Sequence, residues 1–168
     1  SDPWVAVSGP TVIQVGIAFT GGSLAPGSRS AVLASRSVDG GNSWGAAVPL
    51  ADDDGSLFFN DKETATIDST NPRFVYAVWD RLDTNDHGPT RLARSSDGGV
   101  SWSPATTIYD PGAGRQTIGN VAVTTPDGVV HVFFTELGPA PGNPDRTEGH
   151  LAIIRSTDKG LSWSAPTR

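Results

Sequence analysis

The chain has 168 residues, 36% hydrophobic and 18% charged, with a net charge of −6 and no Cys. That length buries a core without staples, and the missing Cys excludes a disulfide framework or a thiolate metal site. Only two of the twelve basic residues are Lys, no basic stripe exists, and no apolar run reaches membrane length, so neither nucleic acid nor membrane is expected as a partner.

In chain order, the β-rich stretches fall into three similar sets. The first is Trp4–Ser8, Val12–Phe19, Ala31–Ser35 and Gly45–Leu50. The second is Thr64–Asp68, Phe74–Trp79, Arg91–Arg94 and Ser103–Tyr109. The third is Thr117–Thr124, Val129–Phe134, Leu151–Arg155 and Ser164–Arg168. No segment keeps a helical apolar period. Each set holds one motif, R-S-x-D-x-G-x-S-W, between its third and fourth stretch. The copies are Arg36–Trp44, Arg94–Trp102 and Arg155–Trp163, and their Asp residues stand 58 and 61 positions apart. Four short strands per repeat, repeated radially, predict an all-β β-propeller of four-stranded antiparallel blades. Blade 1 covers about residues 1–50, blade 2 about 61–109 and blade 3 about 115–168, all in one segment, 1–168.

The motif predicts a turn. Asp39, Asp97 and Asp158 should accept hydrogen bonds from backbone N–H groups one or two residues on. Gly41, Gly99 and Gly160 should supply a positive φ. Ser37, Ser95 and Ser156 should tie back to the turn, and Trp44, Trp102 and Trp163 should start the fourth strand and cover the hairpin. S-x-D-x-G-x-x-W resembles the Asp-box, or BNR repeat, of the sialidase-like β-propellers. The resemblance implies structural boxes on the face opposite any active site. It also implies a function directed at glycans, by glycoside hydrolysis or by carbohydrate binding. A non-enzymatic interaction or self-assembling scaffold is the alternative, because one fold hosts many functions.

Catalysis stays open in the sequence. A sialidase of the exo type, the hydrolase this resemblance implies, would carry an Arg-Ile-Pro motif, and this chain has none. Tyr76, inside a strand, and Tyr109, ending one, fit a nucleophile poorly. The connections opposite the boxes are long and charged: Thr20–Ser30, Ala51–Glu63, Asp80–Thr90, Asp110–Gln116 and Thr135–Gly149. Binding residues favour long loops on a rigid scaffold. The ligand-binding candidates are therefore Asp61, Lys62, Glu63, Asp80, Arg81, Arg115 and Glu136, which suit a glycan or another small polar ligand. Asp80, Asp83, Asn85 and Asp86 cluster oxygen ligands of the kind Ca²⁺ prefers, without EF-hand spacing; Ca²⁺ is the one cofactor the sequence leaves room for. His87 and His150 look isolated. Three blades would leave two apolar faces bare, which implies a head-to-tail dimer closing a six-bladed ring or the remainder of a longer propeller. The opening Ser-Asp-Pro-Trp, without Met, reads as trimmed or processed, and a secreted or cell-surface location is the expectation.

Overall fold

The computed structural model describes residues 3–21 and 25–168, so part of the Thr20–Ser30 connection lies outside the described residues. The elements are β1 (Trp4–Ser8), β2 (Thr11–Thr20), β3 (Arg29–Ser37), β4 (Val48–Asp54), β5 (Phe58–Ile67), β6 (Val75–Asp83), β7 (Thr90–Ser95), β8 (Thr106–Tyr109), β9 (Gln116–Thr124), β10 (Val130–Ala140) and β11 (Asn143–Ser156). Among the described residues there is no helix. The strands form three antiparallel sheets, ordered β1-β2-β3-β4, β5-β6-β7-β8 and β9-β10-β11. The third sheet departs from the four-strand expectation. A single bridge, Ile153 to Thr167, stands where its fourth strand would run. Pro166 has no N–H to give a ladder, which leaves Thr167 to pair alone.

Two apolar clusters join the sheets. Ile13, Val15, Val32 and Ala34 of the first sheet pack on Ile67, Val75, Ala77 and Trp79 of the second. Tyr76, Val78 and Leu92 of the second pack on Val130, Val132, Phe134 and Ile154 of the third. Successive residues of β6 thus point to opposite clusters, and Val75 to Asp80 are all buried. A strand covered on both faces needs apolar side chains on both, which explains the unbroken run Phe74–Trp79. The first strands lie side by side, β1 against β5 and β5 against β9. Trp4 Nε1 donates to the Ala65 carbonyl at 2.8 Å, and the Ala122 N–H donates to Thr64 Oγ1 at 3.3 Å.

The boxes share one set of Ser and Asp hydrogen bonds. Ser37 Oγ donates to Asp39 Oδ1 (2.7 Å) and accepts the Gly41 N–H (2.9 Å). Asp39 then accepts from Ser43, backbone N–H at 2.9 Å and hydroxyl at 2.6 Å. The same bonds recur around Asp97 and Asp158. The reach of each Asp is therefore three or four residues, longer than an Asx-turn, and Ser takes the nearer N–H groups. The Ser43 bonds hold the Asp39 carboxyl down at about 2, and those of Ser101 hold Asp97 there too. Gly41, Gly99 and Gly160 have φ of 90°, 87° and 80°, which a side chain would resist. Trp44 precedes β4 instead of starting it, and its Nε1 donates back to the Gly41 carbonyl at 3.1 Å.

Two of the long polar connections, Ala51–Glu63 and Thr135–Gly149, are mostly ladder. β4 and β5 run up to a turn at residues 55–57, and β10 and β11 extend almost to each other. Burial alternates along β10 through Glu136, Gly138 and Ala140, residues too polar or too small to announce a strand face.

Candidate functional site

Register places the boxes and the acidic residues at opposite ends of the sheets. Ser37 pairs with Val12 at the start of β2, whereas Asp61 pairs with Asp80 towards the end of β6. Between Asp61 and Thr64 the ladder slips, and Lys62 takes a φ of 54°. A bulge of this kind turns side chains out of the alternating pattern, and non-glycine residues at positive φ concentrate at functional sites.

The bulge opens onto a cavity of about 390 Å³ lined by Trp4, Lys62, Glu63, Thr64, Gly119, Asn120 and Val121. Each of the three first strands supplies part of its wall. Lys62 Nζ lies 2.9 Å from Asp61 Oδ2, and that bond raises the Lys62 pKa. Glu63 is 4% exposed. Behind them Asp80 is 3% exposed and accepts a hydrogen bond from Asn120 Nδ2 at 3.2 Å. Burial, with the charge of Asp61 added, pushes the Asp80 carboxyl well above the usual carboxylate range. Asn120 is itself buried, its Oδ1 held 2.9 Å from Thr90 Oγ1, which also lies 2.9 Å from Thr117 Oγ1. The site therefore joins a carboxyl group biased towards its neutral form, a bulged Lys–Asp pair and a fixed amide.

Asp61, Lys62, Glu63 and Asp80 are thus brought together. Arg81, Arg115 and Glu136 stand elsewhere, between neighbouring sheets. Arg81 grips Asp53 with two bonds, 2.7 and 3.0 Å, and lies 3.3 Å over the Phe58 ring. Glu136 is buried and takes Arg115 (3.0 Å), Arg168 (2.9 Å) and the Tyr109 hydroxyl (2.6 Å). Burial opposes the Glu136 charge, but these three donors outweigh it and its pKa falls. Burial and Glu136 raise the Tyr109 phenol, which suits a donor and not a nucleophile. Tyr76 is fully buried and its phenol is raised further.

The Ca²⁺ reading does not fit the geometry. Asp83 Oδ1 accepts the N–H groups of Asn85 and His87, while Asp80 is buried beside Asn120. Among the described residues, no three acidic or His side chains are placed to hold a metal. His87 is paired instead of isolated, with Nε2 2.8 Å from Asp110 Oδ1, and His150 stands 3.7 Å from Glu148. The sequence reading missed Asn120. Its one signal is an amide inside an innermost strand, where a small or apolar residue is expected.

Fold and site together define an all-β repeat protein of three boxed sheets, with a polar cavity where its first strands meet. No family model matches the sequence. Over 88 residues, 44% of the chain, it is 39% identical to Xyloglucanase Xgh74A of Acetivibrio thermocellus. The same match is found to that protein in strain ATCC 27405, and the chain spans about a tenth of the length of these relatives.

Proposed function

We propose that the chain is a segment of a sialidase-like, Asp-box β-propeller directed at glycans, with the cavity between β1, β5 and β9 as its sugar site. The observation that carries this reading is Asp80. Burial and the neighbouring Asp61 raise this carboxyl, which Asn120 holds at 3.2 Å, in the direction the general acid of a glycoside hydrolase requires. Lys62 offers a donor to sugar hydroxyls, and Trp4 offers an apolar wall. The name of the relative directs the choice of substrate to xyloglucan. Adjacent meandering sheets with their first strands together support the propeller arrangement.

The test is a glycan array with xyloglucan oligosaccharides and sialosides, followed by turnover on the binders. Binding that weakens about tenfold in Lys62→Ala, the loss of one good hydrogen bond, supports the reading. Absence of binding to every glycan overturns it.

A further inference from the structure

Both joints between sheets are built the same way. At the first, Arg36 Nε donates to the Gly98 carbonyl at 2.8 Å, and Gly99 sits so close to Ile13 that an added Cβ would run into its side chain. At the second, Arg94 Nη1 donates to the Lys159 carbonyl at 3.2 Å, and Gly160 lies on Tyr76. Ile13 pairs with Arg36 and Tyr76 with Arg94, so each joint takes an Arg and its register partner from one sheet. From the next sheet it takes the box turn and the box Trp, since Trp102 packs on the first cluster and Trp163 on the second.

The outer sheets present the two halves of that joint uncovered. On the third sheet Arg155 is exposed and pairs with His131. Around them Val123, Phe133 and Leu151 are 38%, 45% and 80% exposed. On the first sheet Gly40 is exposed and Gly41 half-buried, whereas Gly99 and Gly160 are buried. Trp44 is 42% exposed, and Val5 and Val7 are 49% and 63% exposed, whereas their counterparts Ala65 and Ile67 are buried.

We infer that the open face of the third sheet receives the first sheet of a second copy of this chain, with Arg155 donating to the Gly40 carbonyl of that copy. The contact is the internal joint made a third time. Two copies related by a two-fold axis make it twice and close a ring of six sheets, a number within the 4–8 usual for such rings. The inference rests on the two internal joints and not on the glycan reading, so oligomeric state and sugar binding fail separately.

Light scattering on the size-separated chain at micromolar concentration tests it. The expected mass is twice 17.4 kDa. Leu151→Asp on one half and Val7→Asp on the other should each return the 17.4 kDa monomer, with unchanged β-sheet circular dichroism. Leu161→Asp should leave the dimer intact, because its counterpart Val100 stays 62% exposed at an internal joint. A wild-type monomer would overturn the inference and leave the faces to sheets of another chain segment. A dimer that survives both face variants, or an open polymer, would overturn it as well.

Discussion

Asp80 and the box Asp residues show one side chain put to opposite uses. Each box carboxylate is surrounded by donors and titrates low, so its stabilisation holds above the ordinary carboxylate pKa and is lost only as pH falls towards 2. Asp80 has the reverse sign. Its folded pKa is raised, so between the ordinary carboxylate value and the raised one the folded state binds more protons than the unfolded state. Stability must therefore fall as pH rises through that window. Asp80→Asn keeps an oxygen to accept from Asn120 and removes the charge. We expect its Tm to exceed wild type by about 3 °C at pH 7, for roughly 1 kcal/mol in a chain of this size, and to match wild type near pH 4. Thermal melts at both pH values check this. An equal Tm at pH 7 would show that folding does not raise the Asp80 pKa.

At the scale of the element, the strands most legible in the sequence were those with apolar demand on a face. The β6 run and the thrice-repeated box announced themselves because burial on both faces and a positive φ at Gly each leave few residue choices. The arms of β10 and β11 did not, because a ladder needs only backbone groups and their side chains are polar or small. The site was half legible. Asp61, Lys62, Glu63 and Asp80 share one strand end, which connectivity alone implies. Arg81, Arg115 and Glu136 share that end too, but Arg81 and Glu136 find partners in the neighbouring sheet, Asp53 and Tyr109, and pairing across sheets leaves no local pattern. Lys159 illustrates the point. It stands at φ 60° where the other boxes have Gly, and its Nζ reaches Asp68, fully buried on the middle sheet, at 2.7 Å. Burial opposes the Asp68 charge, but Lys159 and Thr70 together hold its pKa low. Lys159→Ala leaves that carboxylate without its cation and should cost about 2 kcal/mol. Adding Asp68→Asn to it should recover part of the loss in denaturant melts. A double variant no more stable than Lys159→Ala would mean that the pair is not coupled.

Stability at the scale of the molecule follows from which sheets have two neighbours. Among the described residues only the middle sheet does, since β6 serves both clusters. Repeat arrays of this kind are held by nearest-neighbour contacts, so a sheet with one neighbour opens at lower free energy than a sheet with two. A ring made with a second copy gives every sheet two neighbours and ties stability to protein concentration, because partner binding favours the folded state by mass action. The wild-type Tm should therefore rise with concentration, while that of Leu151→Asp should not. Hydrogen exchange should follow the same logic. In the Leu151→Asp monomer, protection should peak in β6 and fall off through β2–β3 and β10–β11. In wild type at high concentration those outer strands should approach β6. A concentration-independent Tm with the same steep gradient in both proteins would show that the outer sheets stay uncovered, and with them the exposed Arg155 and Trp44.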